Sequence, residues 1–366
     1  MHESGIDPNG HFSRFHDGDL MGYDAAVGLG KIMKRRDFIA GTALALGLAK
    51  ARAQSSVSLP RLAWLIPTSP DRPPPTVGAF IDALMKLGWS EGKTIQIERR
   101  YAGDEADRAA TLEARAKEIV ALKPDVIYTG TSPAVDAIRR ETKTIPIVFV
   151  GVNNPLAAGF VSSLAHPGGN ITGFANVEPS AFGKMIALLK EIVPRIRTIA
   201  FMYSNKFISG NFTRDWIIPR ETTDAAAKAH SVELIDTPAG NEQEIEHTFE
   251  KFGEDPTAAV IILADGFFVG RRNLIVTSAA RYRVPTIYPF SLFPSAGGLM
   301  SYGNNLEEQA RQAAGYVDRI LRGANAADLP VQMPTKYEFV INLKAANALG
   351  INFPPSLLAS ADEVIE

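Results

Sequence analysis

Residues 265–268, Asp-Gly-Phe-Phe, combine a carboxylate that can pair with an ammonium group and two rings that can cover an apolar body. In the alternative reading, Asp265 caps the helix of residues 271–282 and Phe267 and Phe268 are core. A second loop, Gly130-Thr131-Ser132-Pro133, places a hydroxyl at a helix start, with Ser132 as N-cap and Pro133 as the first helical residue. Exposed N–H groups and the positive end of the helix dipole suit that spot to a carboxylate or other anion; the alternative is a well-capped helix with no ligand. Further polar tips follow other apolar runs: Ser69 after residues 62–66, Asn153 after 145–150, and Tyr203 and Asn205 at the end of 198–203. Phe290, closing the run 287–290, is the remaining candidate. Each loop is a weak signal alone, but polar-tipped loops split between two halves of a chain fit one cleft.

The elements that would position these loops alternate in type. Short runs with β-rich composition lie at 62–66, 94–99, 126–129, 145–150, 171–174, 198–203, 232–235 and 258–263. Amphipathic stretches lie at 77–87, 106–122, 134–141, 182–192, 216–229 and 242–252. Continuous apolar strands of four to six residues separated by helices imply parallel sheets covered on both faces. The expected class is α/β, doubly wound, and the length calls for two such lobes. Ligands then gather beyond the C-terminal strand ends, where the loops above lie. We expect residues 60–175 plus 286–330 in one lobe and 176–285 plus 331–366 in the other. On this reading 287–290 and 299–302 complete the first sheet while 339–342 returns to the second. Chain crossings between lobes are expected near 174–177, 285–289 and 333–337.

Upstream of these units, residues 33–53 carry a charged region with Arg35 and Arg36, an apolar run over 38–49, and the small-residue pattern Ala51-Arg52-Ala53 before Gln54. These are the parts of an export signal in order, and the paired arginines followed by Asp-Phe-Ile resemble the twin-arginine motif. The run is shorter than the roughly 20 residues needed to span a bilayer. Cleavage is expected after Ala53, giving a periplasmic protein. Residues 1–32 read as a non-native or disordered leader.

Composition narrows the function. A formal charge of −2 offers no general basic field for nucleic acid. With no cysteine in the chain, there is no thiol nucleophile or thiolate ligand. Three of the six histidines lie upstream of Gln54, and His166, His230 and His247 are scattered over three segments rather than clustered with carboxylates as metal binding requires. No G-x-G-x-x-G after a strand, G-x-x-x-x-G-K-[ST], G-x-S-x-G or H-E-x-x-H occurs, so neither catalytic residues nor a cofactor or metal is expected.

Several segments fall in the order of a known family: Lys123-Pro124-Asp125-Val126-Ile127, Ile145-Pro146-Ile147-Val148-Phe149, Asn153-Asn154-Pro155, Ala-His-Pro-Gly-Gly-Asn-Ile-Thr-Gly at 165–173, Gly-Leu-Met-Ser-Tyr-Gly at 298–303, Phe-Val-Ile-Asn-Leu-Lys-Ala-Ala-Asn-Ala-Leu-Gly at 339–350, and the ending Ala-Asp-Glu-Val-Ile-Glu. Together they resemble the solute-binding proteins of bacterial ABC importers, in the subfamily related to tryptophan- and tyrosine-binding proteins, over nearly all of residues 60–366. The resemblance implies a type I periplasmic binding fold, two Rossmann-like lobes joined by three crossings and closing on ligand. It implies that the Thr131–Ser132 loop holds a ligand carboxylate and that Asp265 meets an amine, here followed by Gly266 where Asn or Pro is more usual. The expected function is a monomeric, non-enzymatic receptor that passes a small organic solute, a carboxylate or amino acid with an apolar or aromatic body, to an inner-membrane ABC permease. The alternatives are an exported α/β enzyme such as an oxidoreductase, or a ligand-sensing receptor for a signalling partner.

Overall fold

The structure, a computed structural model, describes residues 58–71, 74, 76–103, 108–176, 180–205 and 220–366. The expected leader and export signal lie outside these residues. From the N-terminal side the chain runs through β1 (Arg61–Ile66), α1 (Thr76–Lys86), β2 (Gln96–Tyr101), α2 (Arg108–Ala121), β3 (Val126–Gly130), α3 (Ser132–Glu141), β4 (Ile147–Val152) and β5 (Ile171–Ala175). The five strands form one parallel sheet in the order β2-β1-β3-β4-β5. In β1, side chains alternate between its two faces, both of them buried. Leu62, Trp64 and Ile66 face a core shared with Phe80 and Leu84 of α1, while Ala63 and Leu65 face one shared with Leu112, Ala116 and Ile119 of α2. Burying a side chain such as Phe80 or Leu84 contributes roughly 1.5–3 kcal/mol each. The edge strand β2, Gln-Ile-Glu-Arg-Arg-Tyr, has no fully buried residue, and its charges protect an open edge.

After β5 the chain enters a second layered unit: α4 (Ser180–Ile192), β6 (Thr198–Ser204), α5 (Arg220–Ala229), β7 (Glu233–Ala239), α6 (Glu242–Gly253), β8 (Ala258–Ile262), α7 (Gly266–Gly270), α8 (Arg272–Arg281), β9 (Thr286–Tyr288), α9 (Leu292–Ser295) and β10 (Met300–Gly303). α10 (Leu306–Leu321) returns to the first sheet, where Ala310, Ala313, Ala314, Val317 and Ile320 join the core of Trp64 and Phe80. The chain then ends in the second unit with β11 (Glu338–Asn342), α11 (Leu343–Leu349), α12 (Pro355–Ser360) and β12 (Glu363–Ile365). The second sheet has the order β12-β11-β10-β9-β8-β6-β7, parallel except where β11 runs antiparallel to β10.

This corrects one expectation about the lobes. The strands at 286–288 and 300–303 do not complete the first sheet: β9 pairs with β8, Val260 beside Thr286 and Ile261 beside Ile287, and β10 pairs with β9 and β11. Apolar patterning marks such three- and four-residue strands without saying which of two sheets they join, and the short link through α9 keeps them together. Gly303 seals the arrangement, since a Cβ there would overlap the carbonyl oxygen of Pro289. The second crossing is therefore not at 285–289 but at Asn304 and Asn305, between β10 and α10, where the Asn305 side chain accepts from Glu308 N at 2.9 Å and caps α10.

The other two crossings lie side by side. Gln332, on the return to β11, bridges to Phe174 at the end of β5; Ala175 N donates to Gln332 O, and Gln332 N to Gly173 O. Gln309 of α10 donates its side-chain amide to Ala175 O, tying the second crossing to the first.

Candidate functional site

A cavity of about 100 Å³ opens where strand order reverses in each sheet. The first lobe supplies the loops after β1, β3 and β4; the second supplies those after β8 and β9, with Asn176 and Leu306 from the crossings. Its apolar wall includes Trp64, Tyr128, Val150, Val269 and Phe290. Trp64 and Tyr128 are held by Phe80, with Tyr128 stacked on Phe80 at 3.9 Å and Trp64 edge-on at 5.0 Å. Burial pushes the Tyr128 phenol far above its ordinary pKa, so this ring stays neutral.

The polar groups have an unusual property. Thr68 Oγ1, Thr131 Oγ1 and Asn176 Oδ1 are all buried, all belong to residues lining this cavity, and none has a hydrogen-bond partner. Buried polar atoms are normally paired, because each orphan costs about 1–3 kcal/mol. Thr131 is also strained: at φ 71°, ψ 147° it occupies a region that β-branched residues avoid. It is the N-cap of α3, one residue before the expected Ser132, and its hydroxyl makes no capping bond. Thr131 N is already used by Val150 O at 3.1 Å, and Pro133 has no N–H. The first-turn donors of α3 are thus the N–H groups of Ser132 and Ala134, at the positive end of a ten-residue helix.

Across the cavity, Asp265 sits at the start of α7 and accepts from Phe267 N at 2.6 Å. A β-bulge shapes the remaining loop: register shifts between Val150 and Val152, with Gly151 at φ 67°. This delivers Asn153 to the second lobe, where its Nδ2 donates to Ala264 O at 3.0 Å.

Of the nine residues proposed from sequence, Thr131, Ser132, Asn153, Asp265 and Phe290 line this cavity together. The other four lie elsewhere. Ser69 lines a separate depression with Arg99, Arg100 and Arg115. Tyr203 is buried in the core around Phe182 and Phe201, and Asn205 is exposed beyond β6. Phe267 packs edge-on against Phe268 in the core, with the Arg271 guanidinium 4.1 Å above its ring. Sequence reasoning missed Trp64, Thr68, Tyr128, Asn176 and Leu306. Thr68 was findable as the neighbour of Ser69; Trp64 and Tyr128 read as ordinary strand core. Among the described residues no three His, Cys, Asp or Glu side chains gather to hold a metal ion, and no helix is long and apolar enough to cross a membrane.

The family described as ABC transporter substrate binding protein matches residues 68–365. The chain belongs to that family. Among its relatives is the tyrosine-binding protein of Clostridioides difficile (strain R20291), 26% identical over 277 residues that span 74% of this chain and 75% of the relative. A conserved domain protein from Vibrio cholerae superposes with a TM-score of 0.74 at 25% identity, covering 84% of this chain and all of that one. The ABC domain from Streptococcus pneumonia solved in complex with L-Trp superposes with a TM-score of 0.73 at 23% identity, over 84% of this chain and all of the other. This substrate-binding protein thus has the type I periplasmic binding fold, with its cavity at the lobe interface. The family is one of binding proteins, not of enzymes.

Proposed function

We propose that this substrate-binding protein closes on a small organic carboxylate with an aromatic or apolar body, an amino acid in the simplest case, and delivers it unchanged to an ABC permease. The observation that carries this is the trio of orphaned buried atoms on one cavity, with a strained threonine at a helix N-terminus on one side and Asp265 on the other. In this arrangement a carboxylate meets the Thr68 and Thr131 hydroxyls and the N–H groups of Ser132 and Ala134. An amine meets Asp265, and the body lies among Trp64, Tyr128 and Phe290. Relatives described as tyrosine-binding and as complexed with L-Trp support the same ligand class. Export by the 33–53 signal, cleavage after Ala53, a periplasmic location and a monomeric state complete the reading.

Calorimetry with L-tyrosine and L-tryptophan, each beside its decarboxylated amine, tests it. The amino acids should bind 1:1 and the amines far more weakly. Equal binding of both would remove the carboxylate from the α3 end, and binding of neither amino acid would remove this ligand class.

A further inference from the structure

We infer that Asn176, on the first crossing, is both a reader of ligand donors and the trigger of an interlobe latch; the ligand-reading half rests on the solute reading above. Ala264 O is a backbone carbonyl and only accepts, so the Asn153 amide must present its NH2 to it, and does so at 3.0 Å. Asn153 is then left with its oxygen facing Asn176, which must answer with its own NH2, at 3.1 Å. The chain of amides therefore ends at Asn176 Oδ1. That atom is buried and without a partner, on a residue only 2% exposed that lines the cavity.

The Ala264 carbonyl thus sets the orientation of both amides, and the free terminus is an acceptor. What completes the chain is a ligand group that donates: an ammonium, a hydroxyl or an amide N–H. A carboxylate or ether oxygen in that place would meet like polarity. Asn176 N also donates to Val152 O at 2.8 Å, fixing the crossing to the bulge that carries Asn153. A donor on Asn176 Oδ1 holds the amide in the orientation that supports Asn153, and Asn153 in turn holds the second lobe. Occupancy and closure are coupled through two side chains, and the coupling acts only for ligands with differential contact in the closed form.

Three variants separate the two roles. Asn153→Ala removes the latch and frees the Asn176 amide, which can still turn its oxygen to a ligand donor. Asn176→Asp keeps an acceptor for the ligand but loses the donor to Asn153, and Asn176→Leu removes both. The chain contains no cysteine, so Met85→Cys on α1 and Glu250→Cys on α6 provide unique spin-label sites, one per lobe. Without ligand, the interlobe distance distribution should shift toward longer distances in all three variants relative to the parent. In calorimetry, the parent should prefer L-tyrosine over 3-(4-hydroxyphenyl)propionate, which lacks the amine. Asn176→Leu should lose about tenfold or more of that preference, while Asn176→Asp and Asn153→Ala retain it.

Unchanged distance distributions in all three variants would overturn the latch. Loss of preference in Asn153→Ala equal to that in Asn176→Leu would overturn the ligand-reading role. If neither probe binds the parent protein, the solute reading fails, and the distance measurements alone decide the latch.

Discussion

Replacing Thr131 by glycine should make the protein more stable and a worse binder. At φ 71°, ψ 147° the threonine backbone costs about 1–3 kcal/mol, and its buried, unpartnered hydroxyl about 1–3 more. Glycine removes both. Against this stand the extra chain entropy of glycine, about 0.5–1 kcal/mol, and the loss of the two side-chain carbons of a half-buried residue, up to about 1.6 kcal/mol. The balance favours Thr131→Gly by roughly 1–3 kcal/mol, a rise in Tm of a few degrees in the ligand-free protein. Binding should move the other way. A hydrogen bond to a charged carboxylate is worth about 1.5–3 kcal/mol, so affinity for an amino acid ligand should fall about ten- to a hundredfold. Thr131→Ser keeps the hydroxyl and should keep most of the affinity. Thr131→Ala keeps the strain, loses the hydroxyl, and should bind like the glycine variant without matching its stability. Calorimetric unfolding and binding titrations of the three decide the matter. A glycine variant less stable than the alanine variant would refute the strain argument, and equal affinities of the serine and alanine variants would refute the role of the hydroxyl.

Asp265→Asn retains an oxygen to cap α7 but removes the charge, so L-tyrosine should bind at least about tenfold more weakly while 3-(4-hydroxyphenyl)propionate binds as well or better; calorimetry on both ligands measures the difference. Gly303→Ala forces a Cβ into the Pro289 carbonyl and should destabilise by about 1–3 kcal/mol in chemical denaturation, since both atoms are backbone-anchored and neither can yield. Glu91 is held below the usual carboxylate range chiefly by its hydrogen bonds from Arg99, at 2.6 and 2.8 Å. A depressed folded-state pKa stabilises above the unfolded value and ceases to as pH falls through the folded one. The small advantage of the parent over Glu91→Gln, up to about 1 kcal/mol for an exposed pair, should therefore be present at pH 7 and vanish in acid; unfolding midpoints against pH will show it.

Much of the architecture was readable from period alone. Residues 62–66, Leu-Ala-Trp-Leu-Ile, are apolar at every position, as a strand buried on both faces should be, and the amphipathic stretches between such runs point to a parallel sheet. What period does not carry is which sheet a short strand joins. Thr286, Ile287 and Tyr288 are fully buried whether they extend one sheet or the other, and the decision rests on contacts with Val260 and Ile261 far back in the chain. The site divides along the same line. Thr131, Ser132, Asn153 and Asp265 stand just past strand ends, so local reading found them. Asn176 is a polar residue in a crossing whose position depends on how two lobes meet. Trp64 and Tyr128 serve as core on one side and cavity wall at the end of the same strands. Phe267 shows the converse: it follows Asp265 in sequence, but one turn of α7 directs it into the core.

In the proposed reading, the interlobe cavity holds a small organic carboxylate that the protein binds and does not transform. Mass spectrometry of the small molecules released when the protein, purified without added ligand, is denatured tests this most directly. The expected result is a stoichiometric carboxylate with an aromatic or apolar body, recovered unchanged after incubation with the refolded protein and lost from Thr131→Ala. Release of a sugar or an inorganic ion, or conversion of the recovered compound into a product, would contradict it.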